Sequence, residues 1–197
     1  MVSGLERRLW ELRKELALRD TAVMAQNCGM RVGDEHFVMR VWGERVSVKL
    51  PDFIACCADT QAELEPMTQA LVIYYLYTSD GSPAAEEWIA FTDLPDGRFY
   101  TKAFQGYTGR ELAQAFGDDM KRFAQKAVAS GGKPESFPAA AFRFQALPRV
   151  PVLIVCWQGD DDFSASYKIL FDAHTSHHLP TDACAIMGSM LTRRLLP

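Results

Sequence analysis

Three of the four histidines lie in one short segment, residues 174–178, that closely follows Asp172. Neutral imidazole nitrogens and a nearby carboxylate are ligands for divalent transition metals such as zinc, iron, nickel and cobalt. The sequence therefore predicts a candidate metal site, formed by Asp172, His174, His177 and His178. The alternative is a polar loop between a strand and the last helix, because short His-bearing segments are common without a metal.

A second set of residues has the side-chain types that recognise a planar ligand with carboxylate groups. Arginine forks bind carboxylates, and aromatic rings form the walls of such pockets. We expect the fold to bring these residues to one concave pocket, although they are spread along the chain. They are Trp88, Arg98, Tyr100, Arg149, Trp157 and Asp160. The alternative is that both tryptophans are core residues.

The five cysteines include no Cys-x-x-Cys pair, so no iron–sulfur cluster is expected on this chain. The vicinal Cys56 and Cys57 suggest two half-buried thiols, with soft-metal binding as the alternative. The acidic run 160–162 lacks the alternate spacing of a calcium loop. It predicts a solvated loop tip, or one carboxylate that orients Arg149.

Common catalytic signatures are absent from the sequence, including phosphate-binding loops, the nucleophile elbow and zinc-protease motifs. No residue therefore stands out as an activated nucleophile, and whether the protein is an enzyme stays open.

The overall charge and hydropathy bear on partners and on location in the cell. The net charge is −4 and no dense run of Lys and Arg occurs, which argues against nucleic-acid binding. No segment approaches the roughly 20 apolar residues that span a bilayer, so no membrane segment is expected. The N-terminus carries Glu6 where a signal peptide needs an apolar stretch, so we expect a cytoplasmic protein.

Helical spacing and alternation predict the elements that position these residues. A capping box of Ser3 and Glu6 precedes an amphipathic helix over residues 4–18, and a second short helix ends at Cys28. Pro66 begins a buried helix, and the final helix covers residues 181–195. A second capping box at Thr108 opens a further helix pair.

Alternating apolar residues predict the strands. Residues 36–50 form a hairpin with Gly43-Glu44 at its turn. Further extended segments are residues 88–92, 98–103, 139–146, 151–157 and 165–171. Both faces of residues 151–157 are apolar, so this strand should be covered on both sides.

These elements predict an α+β fold in one domain over residues 1–197. N-terminal helices occupy residues 4–28, and residues 36–197 form a mainly antiparallel sheet with helices packed against it.

Five segments, in order, resemble a bacterial protein family, domain of unknown function 3786. They are residues 88–100, 146–152, 157–163, 169–172 and 178–182, and the resemblance runs from about Asp20 to the C-terminus. It implies an anaerobic bacterium and, for some members, fusion to iron–sulfur domains that occur with corrinoid proteins. Because this chain lacks cluster-binding cysteines, it resembles only the part of those fusion proteins that lies outside the iron–sulfur domain.

The resemblance implies a ligand-binding or accessory module that acts with a corrinoid, another tetrapyrrole or a redox system. The implied partner is an iron–sulfur or corrinoid protein. Two alternatives remain: an enzyme, metal-dependent or not, and a protein–protein interaction domain.

Overall fold

The computed structural model describes residues 4–196 and combines helices with two antiparallel sheets. The predicted α+β fold class is confirmed. The predicted capping residue Ser3 lies outside the described residues. The helices are α1 (Gly4–Leu16), α2 (Thr21–Cys28), α3 (Pro66–Thr78), α4 (Thr101–Tyr107), α5 (Gly109–Phe116), α6 (Met120–Ala129) and α7 (Thr181–Leu195).

The strands form a four-stranded sheet, β1 to β4 in sequence order, and a five-stranded sheet with the order β5-β9-β8-β7-β6. Their bounds are β1 (Arg31–Val32), β2 (His36–Val41), β3 (Glu44–Lys49), β4 (Ile54–Cys57), β5 (Trp88–Ala90), β6 (Lys133–Pro134), β7 (Ala140–Leu147), β8 (Val150–Trp157) and β9 (Ser166–Asp172).

Helix α3 lies at the centre of the molecule. Residues 69–76 are all buried, so this helix is apolar around its whole circumference and not along one stripe. Gln69 is buried with them, and its amide hydrogen-bonds to both the N–H and the C=O of Ala55 on β4. These two bonds satisfy backbone groups at the edge of the four-stranded sheet, as a neighbouring strand would.

The hairpin β2–β3 forms as predicted, but its turn is one residue earlier than the sequence suggested. Val41 pairs with Glu44, so Trp42 and Gly43 form the turn, and both have positive φ angles of 53° and 84°. Two positive φ angles are typical of a type I′ turn, whose twist matches that of the strands. Gly43 thus occupies the second turn position, and Glu44 begins the next strand.

Strand β8 lies in the middle of the five-stranded sheet and is buried on both faces, as predicted. Val152, Ile154 and Cys156 belong to the main core, together with Phe37 and Val48 of the other sheet. On the opposite face a smaller apolar cluster contains Leu153 and Val155, with Trp157 packed against it. The two sheets therefore share one core.

Residues 98–103 are not extended, contrary to the prediction from sequence. A 3-10 turn covers Gly97–Phe99, and α4 follows from Thr101. The turn passes so close to Phe91 that a Cβ at Gly97 would meet the Phe91 carbonyl oxygen. Phe104 then stacks on Phe91 with ring centroids 4.1 Å apart, and this contact favours a helix at this point.

The capping box predicted at Thr108 does not form. The Thr108 side chain makes no capping hydrogen bond to α5, and its hydroxyl instead donates to the Phe104 carbonyl oxygen of α4. Because α4 leads directly into α5, a carbonyl oxygen of the preceding helical turn lies within reach of the Thr108 hydroxyl. Within residues 4–196, no helix has both the length and the apolar character to cross a membrane.

Candidate functional site

Asp172, the first residue of the predicted metal site, is buried at the end of β9 with 1% of its surface exposed. Its carboxylate accepts hydrogen bonds from the backbone N–H groups of Ala85, Glu86 and His174, at 2.8–2.9 Å. A buried carboxylate is tolerated when such bonds compensate for lost hydration. Asp172 therefore holds the segment before β5 against the end of β9.

The three histidines bind the same neighbouring segment, residues 79–83. His174 Nδ1 lies 2.9 Å from the Pro83 carbonyl oxygen, and His177 Nδ1 lies 2.7 Å from the Asp80 carboxylate. The buried His178 uses both nitrogens, at 3.2 Å from the Ser79 hydroxyl and 2.9 Å from the Ser82 carbonyl oxygen. We call residues 172–178 and the loop they hold the histidine clasp.

The hydrogen bond from His177 holds the pKa of Asp80 far below its usual range. Burial lowers the pKa of His178, because the charged imidazolium would be poorly solvated there. In the part of the chain that the structure describes, no group of three or more His, Cys, Asp or Glu side chains is placed to hold a metal ion. Metal binding by Asp172, His174, His177 and His178 stays a prediction.

The six residues predicted to line a planar-ligand pocket do not all share the same surroundings. Trp88 and Trp157 pack against the same small cluster on the outer face of the five-stranded sheet. Arg143 lies over the Trp88 ring and Lys168 over the Trp157 ring, at 5.6 and 5.5 Å. Both tryptophans are half-buried, so neither is a fully buried core residue.

The other members of that set make contacts elsewhere. Arg149 donates to the Gln26 carbonyl oxygen of α2. Arg98 lies over the Phe99 ring, and Tyr100 is exposed at the start of α4. The Asp160 carboxylate accepts from Asp162 and Phe163 N–H groups and so closes the tip of the β8–β9 loop. A common pocket for the whole set stays a prediction.

A cleft of about 400 Å³ opens beside the β2–β3 hairpin, between β4 and the facing ends of α3 and α7. We call it the hairpin cleft. Its apolar lining comes from Val41, Trp42, Val46, Leu64, Met67 and Met190. Its charged rim is formed by Glu44, Arg45, Glu65, Arg193 and Arg194. Sequence analysis did not single out this site.

Local structure explains why these side chains meet. The tight turn at Trp42 places this ring inside, with only 8% of it exposed, and Arg194 of α7 lies over the ring at 5.6 Å. The Trp42 backbone N–H donates to the Ala146 carbonyl oxygen and fixes the hairpin to the five-stranded sheet. Among the described residues the Trp42 indole N–H has no hydrogen-bond partner, although it is buried.

The three arginines of the cleft differ in how far they are neutralised. Arg194 pairs with Glu44 at 2.9 Å. Arg45 lies 3.8 Å from Asp59, and the side chains of Arg45 and Asp59 are each more than half exposed. Arg193 has no ion pair within residues 4–196. Glu65 is occupied as the cap of α3, where it accepts from Met67 and Thr68 N–H groups. The rim therefore has cationic groups available to a ligand.

Cys57 lines the same cleft, and it is the one cysteine of the five that is not fully buried. The Thr60 side chain and the backbone of Thr60 and Asp59 hydrogen-bond to its sulfur and lower the pKa of the thiol. Burial instead raises the pKa of Cys28 to about 11. Cys57 is therefore the most accessible thiol, and its lowered pKa favours the reactive thiolate.

A protein-family comparison matches residues 20–194 to the family described as "Domain of unknown function (DUF3786)". The chain belongs to this family. The resemblance noted in the sequence is thus confirmed over most of the chain. No curated protein and no solved structure is similar enough to the chain to count as a match.

Proposed function

We propose that this member of the DUF3786 family is a ligand-binding module and that the hairpin cleft takes an anionic ligand with an apolar body. The observation that carries the proposal is the combination of an apolar lining with three arginines in one cleft of about 400 Å³. Small-molecule sites are typically concave, mostly apolar and roughly 300–1,000 Å³ in volume, with a few polar groups that orient the ligand.

The charged rim argues for an anion. Arg45 and Arg193 have weak or no ion pairs within the described residues, so their guanidinium groups keep donors for a carboxylate or phosphate. The buried Trp42 N–H is a further unused donor next to the cleft. A buried donor without a partner costs free energy that a ligand acceptor would recover.

The lining argues for an apolar body that extends along α7. Met67 and Met190 are flexible, polarisable side chains that adapt to irregular ligands. The same two methionines and Arg193 also line an adjoining depression of about 300 Å³, together with Tyr107 and Ile186. A ligand longer than the cleft could therefore continue over the outer face of α7.

A tetrapyrrole with carboxylate edges belongs to this ligand class, because it combines a broad apolar face with anionic groups. The neutral carboxamide edges of a corrinoid can also accept hydrogen bonds from arginine. The family resemblance implied such a ligand, and the arginine rim and apolar lining are compatible with it. We extend the proposal to an accessory role beside a corrinoid or other redox protein, with an iron–sulfur or corrinoid protein as partner. That extension rests on the resemblance alone.

The proposal is tested by titrating the purified protein with haem, cobalamin and decanoate while recording melting temperature and, for the coloured ligands, the visible spectrum. A ligand at ~100 times its Kd stabilises the folded state by about 2.7 kcal/mol. We expect at least one of the three to raise the melting temperature. Stabilisation by decanoate alone would rule out a tetrapyrrole as the ligand and would retain the proposal that the hairpin cleft binds an apolar anion.

Met67→Glu provides the decisive variant. Met67 is 39% exposed in the first turn of α3, where a carboxylate is tolerated, so the fold should persist while the new charge repels an anion. Val23→Glu is the matched control, since Val23 is 53% exposed in the first turn of α2, outside the cleft. Equal ligand-induced shifts in both variants, or no shift with any ligand, would rule out the hairpin cleft.

A further inference from the structure

The outward face of the four-stranded sheet carries an unusual concentration of cations. Arg40 on β2 lies directly opposite Arg45 on β3, and Lys49 lies on the same face of β3. Arg31 on β1 adds a further guanidinium, because it pairs with Val38, two residues before Arg40. Directly opposed like charges destabilise a sheet. The protein as a whole has a net charge of −4, so this face differs from the average surface.

Little in the described structure neutralises these groups. Arg40 donates to the Gly43 carbonyl oxygen at 2.6 Å, which orients its guanidinium but brings no negative charge. Arg45 has only the exposed 3.8 Å contact with Asp59. Arg31 is exposed and has no ion pair within residues 4–196. Opposed arginines without carboxylates between them are what a site for an external anion requires.

The three arginines line one depression of about 280 Å³, and no acidic residue contributes to its lining. Gly29 and Gln145 form other parts of the wall. Arg149 lies just behind Gly29, because a Cβ at Gly29 would be 3.6 Å from Arg149 Nε. That Nε is buried and has no hydrogen-bond partner among the described residues. A fourth guanidinium therefore lies behind the wall of the depression and adds to its positive potential, although Arg149 does not itself line it.

We propose that this arginine face binds a small polyvalent oxyanion of the diphosphate class. Guanidinium groups donate parallel pairs of hydrogen bonds to phosphate oxygens, and the charge of such a ligand would relieve the repulsion between Arg40 and Arg45. The volume of the depression suits a compact ligand. The site is separate from the hairpin cleft except for Arg45, which borders both. It goes beyond the function proposed for that cleft.

The test uses isothermal titration calorimetry with inorganic pyrophosphate at fixed ionic strength. The double variant Arg31→Gln/Arg40→Gln leaves the hairpin cleft intact, because neither residue lines it. Arg7→Gln/Arg110→Gln is the control, since it removes the same charge from exposed positions on α1 and α5. We expect the arginine-face variant to weaken pyrophosphate binding at least tenfold and the control to leave it within twofold.

The melting temperature without ligand gives a second readout. If Arg31 and Arg40 were structural, their removal would lower it, whereas relief of like-charge repulsion leaves it unchanged or raises it. The absence of pyrophosphate binding at millimolar concentration overturns the proposal, as does equal weakening in both double variants. A single-stranded oligonucleotide tests whether the face binds the phosphates of a nucleic acid instead of a small diphosphate. Binding of that oligonucleotide without pyrophosphate binding also overturns the proposal.

Discussion

The histidine clasp and the hairpin cleft differ in two ways: how close their residues lie in the sequence, and whether their polar groups are already hydrogen-bonded within the protein. In the clasp, residues with metal-binding side chains are adjacent in sequence, and their imidazole and carboxylate groups are hydrogen-bonded to the protein. In the cleft, Glu44 and Arg194 are 150 positions apart, Arg193 has no ion pair within residues 4–196, and the buried Trp42 indole N–H has no hydrogen-bond partner among the described residues. We therefore base the proposal of a ligand site on donors that the protein leaves without partners, and not on proximity in sequence.

Asp172→Ala should produce the largest effect, because it removes a buried carboxylate that accepts hydrogen bonds from three part-buried backbone N–H groups. A hydrogen bond to a charged group contributes about 1.5–3 kcal/mol when buried, and part-buried ones contribute less. We expect a loss of about 3–4 kcal/mol in the free energy of unfolding, measured by urea denaturation.

Asp161→Ala is the control for that variant, because Asp161 is exposed in the β8–β9 loop. Its effect should stay within about 0.5 kcal/mol. If Asp172→Ala were equally mild, the carboxylate would not be holding the clasp, and its description as a structural contact would be wrong.

His178→Ala should have the second largest effect. The ring is fully buried, and its two nitrogens bond to Ser79 and Ser82. Loss of the ring leaves a cavity and unpaired groups, for a cost of about 2–3 kcal/mol. His177→Ala, whose ring is 44% exposed, should cost less than about 1 kcal/mol in the same denaturation measurement.

Acidification should weaken the clasp through His178. Its pKa in the folded protein is lowered by burial, whereas in the unfolded chain it is about 6.5. Below about pH 6.5 the unfolded chain therefore binds a proton that the folded protein resists, so the free energy of unfolding falls as the pH falls. Between about pH 7 and about pH 5, His178→Gln should show a flatter dependence than the wild type. Parallel curves would mean that another group causes the change.

Arg194→Gln should have the smallest effect on stability. Its ion pair with Glu44 is well formed, but the Glu44 side chain is 70% exposed, and such pairs contribute about 0–1 kcal/mol. We therefore expect a change below about 1 kcal/mol in urea denaturation, together with weaker binding of any ligand of the cleft. A large stability loss would make Arg194 a structural residue and remove it from the binding rim.

Local patterns in the sequence were enough to predict elements that have strong hydrophobic periodicity or a residue that marks where they begin. The alternation over residues 36–50 predicted β2 and β3, and Pro66 marked the start of α3. The continuous apolar run at β8 predicted a strand covered on both faces, and both core clusters include it. In each case the decisive information lies within a few residues along the chain.

The remaining features depend on contacts between distant segments. Residues 98–103, which include the start of α4, were predicted as extended. The stacking of Phe104 on Phe91 and the close approach at Gly97 are tertiary contacts, which no local pattern reveals. The hairpin cleft combines residues from the hairpin, β4, α3 and α7, and no local motif marks any of them. Cys57 was noted only as half of a vicinal pair, although its neighbour Cys56 is buried and Cys57 lines the cleft.

The most direct test of ligand binding in the hairpin cleft is the rate at which iodoacetamide alkylates Cys57, followed by peptide mass spectrometry. The other four cysteines are buried and should react much more slowly, so the signal reports on the cleft. We predict that a saturating anionic ligand, haem or decanoate, slows Cys57 alkylation at least tenfold, and that Met67→Glu removes this protection while Val23→Glu retains it. An unchanged rate at concentrations that raise the melting temperature would show that the ligand binds elsewhere and would contradict the account.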